Sequence, residues 1–386
     1  MTKRFQRLET RLIHAGEPTP RIKGAVSMPI FQSSTFEYTG EASYHEIRYI
    51  RLNNTPNHLV LHEKLAALEG GESAIVTASG MAAISTTLLS ILSAGDHLLV
   101  QDCLYGGTHN LITDDFTHFG LSYDFIDADD PSSWKDKLRP NTKAIYVEAM
   151  TNPLLQVADL KAVIEFAKAN GLVSIIDNTF TSPINFRPIE HGFDLSLHSG
   201  TKYLNGHSDI VAGAVIGKST LIEKITHKLN HMGGSLDPHA AFLLHRGMRT
   251  LALRVRHQNE SALKIAQFLE SHPAITKVNY PGLEKHPQHQ RARELFDGFS
   301  GMLSFELKAG LAAAKNFINN LTIPIIAPSL GGPETLVIQP AISSHAGMSV
   351  KDRQRLGITD SLIRVSVGIE ATEDLIEDFD QALKTI

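Results

Sequence analysis

Cysteine is almost absent: the 386 residues contain one, Cys103. An intrachain disulfide is thereby excluded, as is a cysteine-rich metal site, and the single thiol reads as a small buried filler. Charge of one sign is not in excess either, since 36 lysines and arginines stand against 41 aspartates and glutamates, a net charge of −5. That balance gives no electrostatic footprint for nucleic acid or an anionic membrane surface, so the expected partner is a small molecule. No run approaches 18 consecutive apolar residues, and the opening MTKRFQRLET lacks the apolar stretch of a signal peptide; a cytoplasmic protein is expected. The triphosphate-binding pattern GxxxxGK[ST] is missing as well.

What is present is a chain long enough for two packed domains, 42% of it hydrophobic. Short apolar runs rich in β-branched residues, SAIVTA, DHLLVQD, KAIYVEA and LVSIIDN, alternate with AAISTTLLSIL and LKAVIEFAKANG, which carry helical spacing. The second of these helices should close on Gly171. Such alternation predicts an α/β fold with a mostly parallel central sheet and helices on both faces. Beyond residue 240 the texture changes. A long helix-like stretch over 241–271 leads into the loop HPAITKVNYPGLEKHPQHQ, then into the strand-like GMLSFELKAG. Three parts are expected: an arm over 1–45 with few helical signals, a large domain over 46–240 and a smaller α+β domain over 241–386.

In open α/β sheets functional groups gather at the carboxyl ends of strands and at helix N-termini. LVSIIDNTF delivers Asp177 to such an end. By itself this carboxylate reads either as a solvated strand-end acid or as the counter-charge of a buried cation. The segment HSGTKYLNGHSD, at 198–209, then offers one lysine, Lys202, just after Ser199, Gly200 and Thr201. An amine to join a carbonyl and an acid to keep a pyridine nitrogen protonated are what a pyridoxal phosphate enzyme requires. The neighbouring hydroxyls suit a phosphate, and so does TASGMAAI, where Ser79 and Gly80 open a helix with unpaired amides. HPQH, at 286–289, has ligand-like spacing, but no motif supplies a third ligand, so these read as solvated loop histidines and no metal is expected.

Taken in order, TRLIHAGEP, PIFQSSTF, SGMAA, DCLYGGTHN, EAMTNP, IIDNTF, HSGTKYLNGHSD and LIRVSVGIEATEDLIEDF resemble the Cys/Met-metabolism family of pyridoxal phosphate enzymes over nearly the whole chain. This is the group of cystathionine β-lyase, γ-lyase and γ-synthase. The resemblance implies the aspartate aminotransferase type of fold and pyridoxal 5'-phosphate as cofactor. It implies that Lys202 holds the cofactor and carries protons, that Asp177 pairs with the ring nitrogen and that Tyr105 stacks on the ring and assists proton transfer. Gly80, Met81, Ser199 and Thr201 would hold the phosphate within one subunit, while Tyr49 and Arg51 reach it from the neighbour. Arg364, with Asn152 and Ser329, would place the substrate carboxylate and the lysine. A dimer is then required for a complete site, and a homotetramer is the expected assembly.

Two positions depart from the family pattern. After Arg51 the usual Asn-Pro-Thr-Arg is replaced by LNNTPNH at 52–58, and Pro328 stands where many γ-acting members carry a glutamate. The missing acid tilts the expectation toward β-elimination of cystathionine, to homocysteine, pyruvate and ammonia. Cystathionine γ-lyase and γ-synthase remain as alternatives, with a transaminase or a non-catalytic binding protein further off.

Overall fold

The computed structural model describes residues 6–386 except 45, 344, 345, 347 and 348, and the backbone alone of 352. Residues 1–5 and 45 of the expected arm therefore lie outside the described residues.

Seven strands form the first sheet: β1 (Ser73–Thr77), β2 (His97–Gln101), β3 (Ser122–Ile126), β4 (Thr142–Glu148), β5 (Val173–Asp177), β6 (Leu195–Ser199) and β7 (Gly213–Gly217). Their order is β1-β7-β6-β5-β4-β2-β3, and β7 alone among them runs antiparallel to its neighbours. Residues of alternate parity serve opposite faces: Ile145, Val147 and Ile176 join one apolar core, while Ala144, Tyr146, Ile175, Leu195 and Leu197 join another. A sheet buried on both sides needs helices on both sides, which explains the near-continuous apolar strands. Local signals set the helix ends. Asp159 accepts from the Ala162 amide at 3.0 Å and starts helix Leu160–Asn170, which closes on Gly171 at φ 64° as expected.

A second sheet contains β8 (Ile275–Asn279), β9 (Met302–Leu307), β10 (Ile325–Ile326), β11 (Leu336–Ile338) and β12 (Leu362–Ser366), ordered β10-β11-β12-β9-β8. Helices Gly310–Asn320 and Thr372–Leu383 bury Phe317 against Phe305 of β9 and Phe379 against Phe317.

Three expectations need correction. The long helix over 241–271 is two helices, Pro238–Met248 and Leu251–Ser271. The buried Arg254 guanidinium donates to the carbonyls of Gly247 at 2.8 Å and Tyr203 at 3.0 Å, tying the break to the segment that follows Lys202. ITKVN, expected within a loop, is strand β8, because its residues pair along β9. The N-terminal arm contains helix Leu8–His14, whose Leu12 is buried and whose carbonyl accepts from Lys64. The core beneath the first sheet also takes in Leu244, Met248 and Val255, while Ala262 belongs to the second core. We therefore place the change of domain within helix Leu251–Ser271 rather than at 240.

Candidate functional site

The cavity of about 1160 Å³ between the sheets is lined by residues from both, including Tyr105, Asp177, Lys202, Ser329 and Arg364. It is large for a single small ligand and suits a cofactor with a substrate beside it. Strand ends explain its inner wall: β5 ends in Asp177, β6 in Ser199 and β4 in Glu148.

Lys202 follows β6 in a tight turn, its amide donating to the Ser199 carbonyl at 3.2 Å. Its Nζ donates to Ser329 Oγ at 2.8 Å. Burial, helped by the Arg364 charge, brings the Lys202 amine down to about 8, within reach of neutral pH for a base. Ser329 holds φ at +96°, a conformation that L side chains rarely adopt, so surrounding contacts must impose it. Arg364, on β12, is buried; Nη1 donates to Asn152 Oδ1 and Nη2 to the Ser329 carbonyl, each at 3.0 Å, leaving Nε with no partner among the described residues. Burial lowers its guanidinium to about 10, which still leaves it charged.

The phosphate candidates converge at the N-terminus of helix Gly80–Ile91. Ser79 Oγ accepts from the Ala82 amide at 3.0 Å, and Gly80 and Met81 have no preceding turn to bond to. A Cβ on Gly80 would lie 2.8 Å from the Ser199 Cβ, so any other residue would fill the cradle. Thr201 Oγ1 accepts from the Ala212 amide at 3.0 Å, holding its hydroxyl beside the cradle. Gly107 acts similarly: an added Cβ would meet the Tyr105 ring at 2.6 Å and Met81 Sδ at 2.9 Å. This cradle, the half-buried amine and the strand-end acid fit pyridoxal 5'-phosphate: an anion pocket, an amine to join its carbonyl and an acid for its ring nitrogen.

Asp177 is not solvated. Burial raises its carboxyl, partly offset by the Thr179 hydroxyl and amide, the latter donating at 2.9 Å, and by the charge of His198. His198 lies on the far side of the sheet in a buried pair with Glu69. Sequence reasoning misses Glu148, which sits directly opposite Asp177 in the β4–β5 register and accepts from the Tyr105 amide at 2.6 Å. Burial and the adjacent Asp177 charge push Glu148 well above the usual carboxylate range, which favours its neutral form. Glu148→Gln should therefore cost under about 1 kcal/mol of stability, whereas Glu148→Ala, which strands the Tyr105 amide, should cost about 1–3 kcal/mol. Denaturant unfolding distinguishes these; equal losses would mean that an ionised Glu148 matters for its charge.

Tyr49 and Arg51 do not line this cavity in their own chain. Arg51 instead donates to the Asn230 carbonyl at 2.7 Å and to the Tyr44 hydroxyl, and its guanidinium lies 5.6 Å from the Tyr49 ring centre. Cys103 is buried and its thiol is pushed up to about 12 by burial, in keeping with an inert filler, although it lies along the cavity wall. The HPQH reading needs correction. His286 is buried, which lowers it to about 4, and its Nδ1 accepts from the Gln288 amide, while His289 bonds to the Pro281 carbonyl.

Comparison with known proteins agrees with this geometry. The family model for Cys/Met metabolism PLP-dependent enzymes matches residues 9–384. A cystathionine beta-lyase from Bacillus subtilis is 42% identical over 100% of this chain and 98% of its own. A cystathionine gamma-lyase from the same organism is also 42% identical, over 98% of this chain and 99% of its own. The crystal structure of a cystathionine gamma-lyase from Lactobacillus plantarum, complexed with L-serine, superposes with a TM-score of 0.94 at 41% identity, covering 99% of both chains. With the match running through both sheets and every segment of the cavity wall, the chain belongs to the Cys/Met metabolism family of pyridoxal phosphate-dependent enzymes.

Proposed function

We propose that the protein is a carbon–sulfur lyase that cleaves cystathionine to homocysteine, pyruvate and ammonia. The observation that carries this reading is the Lys202 amine, lowered to about 8 and held by Ser329, in one cavity with the carboxyl of Asp177 and the guanidinium of Arg364. Bound pyridoxal phosphate supplies a carbonyl that joins an amine and a protonated ring that withdraws electron density from the substrate Cα. The remaining work belongs to the chain. Arg364 and Asn152 hold the α-carboxylate, a planar fork meeting a planar acid. Lys202 takes the proton from Cα and returns one to the departing sulfur, while Ser329 keeps its amine aimed. Asp177 would pair with the ring nitrogen, Tyr105 would stack on the ring and assist proton transfer, and Gly80, Met81, Ser199 and Thr201 would hold the phosphate. Water then completes the release of pyruvate and ammonia.

Pro328 favours β- over γ-elimination: it lines the cavity beside Ser329 and offers no carboxylate to steer chemistry at Cγ. The test is to incubate cofactor-loaded protein with cystathionine and identify the products by mass spectrometry. Pyruvate with homocysteine supports the proposal; 2-oxobutyrate with cysteine makes the enzyme a γ-lyase and overturns the argument from Pro328.

Tyr49 and Arg51, turned away from their own cavity, complete the phosphate site of a neighbouring subunit in this reading. The arm contacts that neighbour, and two such dimers form a tetramer in the cytoplasm. No described helix is long and apolar enough to cross a membrane. Arg51→Ala should weaken cofactor binding about 10- to 100-fold, the loss of one charge-assisted contact. Titration of cofactor absorbance measures it, and unchanged affinity would remove Arg51 from the phosphate site.

A further inference from the structure

The cavity extends beyond what a cofactor and one amino-acid end require. At its outer wall stands Arg355, the last residue of helix Val350–Arg355, on the same lining as Asp102 and Asp114. Arg355 is exposed and, among the described residues, forms no ion pair or side-chain hydrogen bond, whereas nearby Arg353 is bound to Asp360 at 3.2 Å. Its charge nevertheless reaches the segment leading to Tyr105: Asp102, raised by burial and by Asp127, is drawn back down by Arg355. Asp114 is exposed and, among the described residues, accepts only from its neighbour Thr113 at 2.8 Å. The cavity thus has two cationic ends. Arg364 is buried at the inner one, and Arg355 is open at the outer one, on a lining that also carries two carboxylates.

Cystathionine has the matching form, with an α-carboxylate and an ammonium at each end of a thioether. We propose that Arg355 determines specificity at the far end of the substrate, receiving the second carboxylate while Asp102 and Asp114 face the second ammonium. This rests on the assignment of cystathionine as substrate. Because Arg364 already fixes the reacting end, Arg355 acts on which thioethers are held and not on the bond that breaks. A guanidinium suits the task, being always charged and able to meet a carboxylate with two donors.

The test compares cystathionine with S-methylcysteine, which presents the same reacting end and has no far end. In Arg355→Ala the ratio of kcat/KM for cystathionine to that for S-methylcysteine should fall at least about 10-fold, mainly through a higher KM for cystathionine. Arg355→Glu should lower the ratio further through repulsion, and Arg355→Lys should restore part of it. A ratio within twofold of wild type in both the Ala and Glu variants overturns the inference and leaves the substrate assignment standing. Wild-type enzyme that fails to cleave cystathionine overturns both.

Discussion

Lys202→Ala is expected to lower kcat by at least about 10³-fold, because in the proposed reaction one side chain supplies both the cofactor's covalent partner and the proton carrier. Among the described residues its amine bonds to Ser329 alone, so the fold should survive the truncation and the loss should be chemical. Absorbance of the lysine-bound cofactor should disappear in the same variant. A titration separates this from simple damage to the cavity. With its amine lowered to about 8, cofactor-free wild type should capture pyridoxal phosphate faster as pH rises, by about 10-fold per unit below 8, then level off. Below 8 the amine is protonated and cannot attack a carbonyl; above it the neutral form dominates. A rate still climbing steeply at pH 10 would mean that Lys202 is an ordinary solvated lysine.

Arg364→Ala should have the second largest effect. Truncating one member of a buried, hydrogen-bonded charge pair costs about 2–5 kcal/mol, which corresponds to roughly 30- to 4,000-fold in kcat/KM. The loss should fall on every amino-acid substrate alike, since all share the α-carboxylate, and this distinguishes Arg364 from Arg355. Arg364→Lys should recover little, because an ammonium cannot bond Asn152 Oδ1, the Ser329 carbonyl and a carboxylate in one plane. Cofactor absorbance should persist in both variants. If kcat/KM stays within threefold of wild type, the carboxylate is bound elsewhere.

The residues legible in the sequence are those whose local signal and function coincide. Asp177 ends a β-branched apolar run, and Lys202 stands in a turn of hydroxyls and glycines after the next one, so strand-end geometry alone points to both. Arg364 gives no such signal: in LIRVS it reads as a strand-edge charge, and only the sheet that carries it toward Asn152 makes it a site residue. Glu148 escapes sequence reasoning for a related reason. EAMTNP matches a family motif, but nothing local says that β4 lies beside β5 in a register that sets Glu148 against Asp177. The divided helix has the same kind of cause. Apolar spacing runs through Arg249 and Thr250 without announcing a break, and the contact that ties this break into the fold, Arg254 to the Tyr203 carbonyl, joins residues far apart in the sequence. Period and composition report on single elements; contacts between elements set the rest.

The most direct measurement is borohydride reduction of the cofactor-loaded protein, which fixes the bond between lysine and cofactor, followed by peptide mass spectrometry. The reduced cofactor should be found on the peptide carrying Lys202 and on no other. Its recovery on a different lysine, or an unmodified Lys202 in protein that shows full cofactor absorbance, would contradict the assignment on which the chemistry rests.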